Sequence, residues 1–144
     1  MMKRFMWVAL GIVIGAAGYA LAQQATKVDH AGLKQRVLLE QALPEKLDGK
    51  EAKVTVLELE RAPGSAGAPH RHPGPVFVYV LDGELESAID GQSPKVYTKG
   101  QMFYEPPRAL HRVSRNPSKT TPVRFLAFLL TAKDEKQLVI PEKP

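Results

Sequence analysis

Short apolar stretches alternate with turn residues along most of this chain, and that pattern predicts strands. The six residues Val76–Leu81 form a continuous β-favouring run that suits a buried strand. Asp-Gly pairs at 82–83 and 90–91 follow apolar runs and tolerate the positive φ angles of two-residue hairpin turns. Further strand candidates recur at spacings of about 8 to 12 residues, at 53–60, 84–89, 96–98, 102–104, 110–114 and 123–131. This spacing predicts an all-β fold, an antiparallel sandwich or barrel.

The segment before this series is ambiguous. Leu33, Val37 and Leu38 could form one face of a helix, whereas Val37-Leu38-Leu39 equally suits a short strand. Pro44 is expected to end the element in either case. No helix of consequence is expected after it.

The first 22 residues have the layout of an export signal. A basic start precedes the uncharged stretch 5–22, which ends in an Ala20-Leu21-Ala22 cleavage site. We interpret residues 1–22 as a signal peptide; an uncleaved anchor is the alternative, because about 17 apolar residues can span a bilayer. The polar stretch 23–32 is interpreted as a flexible tether and 33–144 as the folded domain. We therefore expect a periplasmic or secreted protein that touches a membrane only through an uncleaved leader.

Composition limits the folded part to one domain without cross-links. The chain has 144 residues, 44% of them hydrophobic, which is enough for one core. It contains no cysteine, which excludes disulfides and thiolate chemistry. Removing Lys3 and Arg4 with the leader lowers the formal net charge from +5 to +3, and acidic and basic residues are mixed. No nucleic-acid partner is expected from this distribution.

The histidines are the first candidates for chemistry. His70 and His72 are two residues apart, so in an extended chain their imidazoles project from the same face and can share one ion. His111 follows about forty residues later, at the start of a strand that could pair back near them. Taken alone, the His-x-His pair is better explained as a surface or loop pair without a metal. His30 lies in the tether and has no partner at ligand spacing.

The residues around these histidines resemble the two conserved motifs of the cupin superfamily. Residues 69–83 contain two histidines, a buried strand and a turn glycine; residues 100–116 contain a glycine, five residues, Pro106, then His111 and an asparagine. The resemblance covers about residues 37–130 and is strongest to small, single-domain, exported cupins. It implies a jelly-roll β-barrel with a divalent metal ion held by His70, His72 and His111.

Two positions depart from the cupin pattern. Cupins that bind metal usually have a glutamate a few residues after the second histidine, and here Val76, or Phe77 under the alternative spacing, takes that place. The glycine that commonly follows the proline is Arg108, a residue that adopts positive φ only at a cost.

The missing carboxylate leaves three possibilities. A three-histidine site suits Fe, Zn, Mn, Ni or Cu and leaves the ion's charge uncompensated, which favours an anionic or chelating small molecule. Alternatively, Glu105 reaches in as a substitute, although a solvated or ion-paired side chain is its simpler interpretation. In the third case no metal binds and the histidines line an apolar pocket.

These observations predict an exported metal-dependent protein acting on a small molecule, with oxygenase-like chemistry among the open reaction types and Glu105 or Tyr104 available for proton transfer. A barrel that binds a small molecule or metal without turnover is the alternative. A homodimer is expected with either function, because edge strands of open barrels are often covered by a partner subunit.

Overall fold

The computed structural model describes residues 32–47 and 49–142, and this part of the chain contains strands and turns but no helix. It therefore contains no helical segment able to cross a membrane. The predicted signal peptide and nearly all of the predicted tether, with His30, lie outside the described residues. The strands are β1 Leu33–Leu47, β2 Lys50–Arg61, β3 His70–Arg71, β4 Val76–Asp82, β5 Glu84–Ile89, β6 Lys95–Thr98, β7 Met102–Glu105, β8 His111–Arg115, β9 Val123–Ala132 and β10 Ile140–Pro141.

The strands form two five-stranded sheets with antiparallel pairing. The first sheet has the order β1-β2-β9-β4-β7 and the second the order β10-β3-β8-β5-β6. Strands that follow one another in sequence therefore often belong to different sheets, as in a jelly roll. The predicted all-β, antiparallel barrel is confirmed.

Alternation along the strands places one apolar core between the two sheets. In β9 every second residue from Val123 to Thr131 is buried, and in β4 Val76, Val78 and Val80 are buried in the same way. Leu85 of β5 packs against these residues from the second sheet. Burial of each such Val or Leu side chain contributes roughly 1.5–3 kcal/mol, so this core carries much of the fold's stability.

The ambiguous first segment is a strand, and the prediction that Pro44 ends it is wrong. Strand β1 runs through Pro44 to Leu47 while it pairs with β2, and the register shifts between Leu43 and Lys46. Proline has no N–H to donate, so it is tolerated on an edge strand at such an irregularity. Strand β1 is the edge of the first sheet.

The Asp82-Gly83 turn joins the two sheets and does not close a hairpin. Strand β4 belongs to the first sheet and β5 to the second, so the chain changes sheet at Gly83. Gly83 has φ +80°, and a Cβ there would lie 2.7 Å from the Pro122 carbonyl oxygen, so only glycine fits. The second Asp-Gly pair does lie in a hairpin, because β5 pairs directly with β6.

Asn116 fixes the loops at one end of the barrel. Its side chain is buried, and its Nδ2 donates to the carbonyl oxygens of Arg61, Ala62 and Thr121 at 3.2, 3.3 and 2.8 Å. Its Oδ1 accepts from the Ser118 backbone N–H at 3.0 Å. Asn116 thus joins the end of β2 to the loop before β9.

Arg108 adopts the backbone conformation that a glycine would take with less strain. Its φ is +59°, and among the described residues it is the one non-glycine residue with positive φ. The turn is held on both sides: the Arg108 N–H donates to the His72 carbonyl at 2.9 Å, and Arg71 donates to the Arg108 carbonyl at 2.8 Å. The strain therefore lies in the loop that leads into His111.

We expect substitutions at Arg108 to report this strain. Arg108→Val should destabilise the protein by about 1–2 kcal/mol, because a β-branched residue fits the left-handed region poorly. Arg108→Gly should match the wild type or exceed it by up to about 1 kcal/mol, because relieved strain is offset by glycine's backbone entropy. Urea denaturation measures both. The control is Arg112→Val on an exposed strand position, expected within about 0.5 kcal/mol of wild type; equal stabilities for the two valine variants would contradict the strained turn.

Candidate metal centre

Four residues from both sheets meet at one end of the barrel interior. His70 lies on β3, His72 directly after it, Glu105 at the end of β7 and His111 at the start of β8. His70 and His111 are register partners, which brings the two cupin-like motifs together. One potential ligand atom from each of the four residues lies within 4.8 Å of the others. The structure thus brings together the three predicted histidines and adds a carboxylate.

Backbone carbonyls fix the rings of the first two histidines. His70 Nδ1 donates to the Ala68 carbonyl at 2.8 Å, and His72 Nδ1 donates to the Leu138 carbonyl at 2.7 Å. A neutral imidazole has only one N–H, so each Nε2 then carries a lone pair. The two Nε2 atoms face each other at 3.1 Å. Two lone pairs at that distance repel unless a cation lies between them.

Glu105 and His111 add two further acceptors. Glu105 Oε2 lies 3.3 Å from His72 Nε2 and 3.0 Å from His111 Nδ1. Neither contact has hydrogen-bond geometry, and Glu105 Oε2 and His111 Nδ1 are buried without a hydrogen-bond partner in the described part of the chain. Buried polar atoms are nearly always paired. A divalent cation would satisfy these orphaned atoms, so the four residues fit a metal ion.

The charges of the cluster follow from its burial. Burial is the main cause that lowers the pKa of His70, from 6.5 to about 4, so this ring is neutral at pH 7. Burial acts to raise the pKa of Glu105, but the imidazoles of His111 and His72 outweigh it and lower the pKa from 4.5 to about 2. Burial also opposes the charged form of His72, yet the Glu105 carboxylate raises the pKa of that ring. The cluster therefore has an ionised carboxylate with imidazole nitrogens around it.

The carboxylate that the motif lacks at Val76 enters from the neighbouring strand. Val76 of β4 and Glu105 of β7 are register partners, and both are buried. Side chains of directly opposed residues in an antiparallel pair lie on the same face, so Glu105 reaches the space that a glutamate at position 76 would use. Glu105 is only 4% exposed, so of its simpler interpretations the solvated side chain is wrong, whereas an ion-paired side chain agrees with its contacts to His72 and His111.

Tyr104 is not brought to the cluster. It precedes Glu105 in β7, so its side chain points to the opposite face, where it is 48% exposed. Its ring packs on Phe77 with the centroids 5.1 Å apart. Phe103, in contrast, faces inward and lies edge-on to His111, with the centroids 6.4 Å apart.

The two arginines of β8 also lie away from the cluster. Arg112 is exposed and contacts Asp90 at 3.9 Å, and Arg115 is exposed and pairs with Glu86. Both belong to the outer surface of the second sheet. The residues that the sequence did not indicate are Ser87, whose Oγ lies 2.9 Å from His111 Nε2, and the carbonyls of Ala68 and Leu138. A carbonyl has no sequence signal, whereas Ser87 shares the inward parity of Leu85 on a predicted strand.

Comparisons with known proteins agree with this geometry. The family model described as "Cupin domain" matches residues 57–129. The germin-like protein subfamily 2 member 2 of Arabidopsis thaliana is 35% identical over 80 residues, which are 52% of this chain and 36% of that protein. The chain thus spans little more than a third of this curated relative.

Solved structures share the fold at low sequence identity. An RmlC-like cupin from Shewanella frigidimarina superposes with a TM-score of 0.58 at 22% identity, covering 80% of this chain and 91% of that one. The polyketide cyclase RemF from Streptomyces resistomycificus gives 0.59 at 20% identity, covering 78% and 72%. The DMSP lyase DddQ from Ruegeria pomeroyi gives 0.52 at 21% identity, covering 63% and 45%.

The register of Val76 and Glu105 makes a testable prediction. Glu105→Val should weaken Zn²⁺ binding by about 100-fold or more. Mutating a residue that only hydrogen-bonds to a metal ligand already lowers metal affinity about 10- to 100-fold, and here a ligand itself is removed. The double variant Val76→Glu/Glu105→Val moves the carboxylate to the opposite strand and should recover at least tenfold of that loss. Competition against a chromophoric chelator measures the affinity. Equal affinities of the single and double variants would contradict the exchange of positions.

Proposed function

Because the chain belongs to the cupin family and brings four potential metal ligands together, we propose that it binds one divalent metal ion through His70, His72, Glu105 and His111 and acts on a small molecule. The observation that carries this proposal is that three imidazole nitrogens and a carboxylate oxygen lie within 4.8 Å of one another. None of the contacts that Glu105 Oε2 makes with the imidazoles has hydrogen-bond geometry in the described residues. Nitrogen and carboxylate donors suit Fe, Zn, Mn, Ni and Cu.

The charge of the donor set supports an anionic or chelating small molecule. Three neutral imidazoles and one carboxylate compensate half of a 2+ charge, so a ligand with a negative group would complete the compensation. A bound metal would supply Lewis-acid chemistry or, if it is iron, dioxygen activation. Glu105 is the carboxylate of the cluster, and its pKa of about 2 makes it a weak proton acceptor at pH 7, so we assign it to holding the metal and not to proton transfer.

The reaction type stays open among the chemistries that this fold supports. Solved relatives include proteins named as a polyketide cyclase and a DMSP lyase, and at these identities the likeness concerns the fold. Oxygenases that hold iron through two histidines and one carboxylate need a carboxylate ligand, which Glu105 would provide in place of the glutamate missing at Val76. Non-redox and oxygenating reactions are therefore both within the proposal.

A binding barrel without turnover is the second candidate. Glu105 and His111 are each only 4% exposed, which favours tight metal retention over ready access for a substrate. Dioxygen consumption or product formation with small acids would distinguish turnover from binding alone.

We expect the purified protein to hold about one equivalent of divalent metal, measured by elemental analysis after reconstitution and desalting. His70→Ala, His72→Ala and His111→Ala should each lower the retained metal by at least tenfold, because each removes a ligand. His30→Ala is the matched control, since it removes the one histidine outside the cluster. Metal absent from the wild type, or lost equally from the His30 variant, would refute the proposed site.

The expected homodimer has a candidate surface on the first sheet. The outward side chains of β4, β7 and β9 form an apolar face, in which three are well exposed and four half-buried: Phe77, Met102, Tyr104, Tyr79, Leu126, Phe128 and Leu130. Contiguous exposed apolar side chains of this kind are typical of interaction surfaces. We propose that a second copy of the chain covers this face. Apolar side chains lose little favourable hydration when the same faces of two copies pack against each other.

The dimer should dissociate when charge is placed on this face. Phe77→Lys/Tyr104→Lys is expected to sediment as a monomer at micromolar concentrations where the wild type sediments as a dimer. Val96→Lys is the matched control, because Val96 is an equally exposed apolar residue on β6 of the second sheet. A monomeric wild type, or a dimer that survives the double substitution, would contradict this interface. The periplasmic or secreted location stays a prediction from the leader.

A further inference from the structure

Arg71 lies between two of the candidate metal ligands, but its side chain points away from them. Neighbouring residues of an extended chain project to opposite faces, so Arg71 lies on the outer side of the strand that carries His70 and leads to His72. Its side chain is 35% exposed. Any effect of Arg71 on the cluster must therefore pass through the groups that its guanidinium contacts.

The guanidinium of Arg71 connects two other parts of the chain. Its Nε and Nη2 donate to the two carboxylate oxygens of Glu142 at 2.9 and 3.2 Å, which makes this a bidentate ion pair. Its Nη1 donates to the Arg108 carbonyl at 2.8 Å, in the strained turn before His111. One side chain thus joins the first histidine motif to the turn of the second motif and to a residue 71 positions further along the chain.

The segment 133–142 leads from the end of β9 to Glu142 and passes behind His72. The Leu138 carbonyl accepts a hydrogen bond from His72 Nδ1 at 2.7 Å. A carbonyl oxygen only accepts, so this nitrogen carries a proton in the neutral and in the charged ring alike, and Nε2 is left to face the cluster. Most side chains of the segment are exposed, and β10 pairs with β3 over two residues only. The Leu138 carbonyl is therefore held in place by few contacts.

We propose that Arg71 is a positioning residue, which binds Glu142 and thereby holds the Leu138 carbonyl against His72. The inference rests on the proposed metal site for its effect on metal binding, whereas the hydrogen bond of the His72 ring can be measured without metal. A segment with few buried contacts opens more easily than a strand paired along its length, so an ion pair at its end changes how often it opens. When the segment opens, the His72 ring loses the partner that orients it.

Proton exchange at the histidine rings of the full-length, ¹⁵N-histidine-labelled protein tests this role. The Nδ1–H of His70 donates to the Ala68 carbonyl two residues away, so it serves as an internal reference. Glu142→Ala should speed exchange of the His72 Nδ1–H by about two- to fivefold relative to that of His70, while the urea midpoint stays close to that of the wild type. Unchanged exchange of His72, or an equal change at both rings, would overturn the inference.

The release of Zn²⁺, used as the probe ion, tests the consequence for the metal site. Transfer of bound Zn²⁺ to excess chelator should be about two- to fivefold faster for Glu142→Ala and about tenfold faster for Arg71→Ala, which also loses the bond to Arg108. In the Arg71→Ala background, Glu142→Ala should have no further effect, because the two residues act as one pair.

Glu60→Ala is the matched control for the loss of an ion pair. The Glu60 side chain is 38% exposed, as is that of Glu142, and it pairs with Lys34 on β1, away from the cluster. This variant should release Zn²⁺ at the rate of the wild type. An equal effect of Glu60→Ala and Glu142→Ala, or additive effects of Arg71→Ala and Glu142→Ala, would contradict the role of the Arg71–Glu142 pair.

The two proposals fail in different ways. A protein that binds no Zn²⁺ would refute the metal site, while ring exchange in the free protein would still report whether Glu142 holds the Leu138 carbonyl against His72. A protein that binds Zn²⁺ but releases it at the same rate with and without the Glu142 carboxylate would refute the role of Arg71 and leave the metal site intact.

Discussion

Mutual repulsion among buried acceptors is the constraint around which this end of the barrel is built. Two Nε2 atoms 3.1 Å apart and a carboxylate oxygen within 3.3 Å of His72 are stable together only with a positive charge among them. A proton on His72 can supply it, consistent with the pKa of that ring being raised by Glu105 despite burial. A metal ion supplies more charge and engages all four residues. Protons and metal therefore compete for the same space.

The fold holds these groups in place through backbone geometry more than through side-chain contacts. The His70 and His72 rings are oriented by carbonyls, Glu105 by its register opposite Val76, and His111 by the irregular pairing of β8 with β5. Each of these depends on strands that are paired along their length. The apolar core between the sheets thus supports the cluster indirectly, by fixing the registers.

The strands and the His-x-His pair could be predicted because their signals are local. Alternation and turn residues mark Val76–Leu81, and a separation of two places His70 and His72 on one face. The sequence offered Glu105 only as one of three possibilities, since its partner Val76 lies 29 residues away and only the sheet order joins them. Pro44 and Gly83 were misinterpreted for a related reason. Local propensity does not reveal whether a strand is an edge or whether a turn changes sheet.

The spacing of His111 and Ser114 within β8 is another feature that local sequence patterns do not predict. Alternation alone would put residues three apart on opposite faces, but a one-residue bulge places both inside. Arg108 is a separate case, because the sequence did predict that a positive φ there is costly. Two hydrogen bonds hold this conformation: the Arg108 N–H donates to the His72 carbonyl, and Arg71 donates to the Arg108 carbonyl.

The Leu138 carbonyl that orients His72 lies 66 residues further along the chain. Leu138 packs on the core, and Glu142 pairs with Arg71 and donates its N–H to the Pro69 carbonyl, so this closing segment lies against the first histidine motif. A nascent chain emerging from the ribosome holds His70, His72 and His111 well before it holds Leu138. The His72 ring can therefore take this orientation only once the segment around Leu138 has been made and has folded back, so a chain cut before that segment would keep the three histidines and lose the contact that orients one of them.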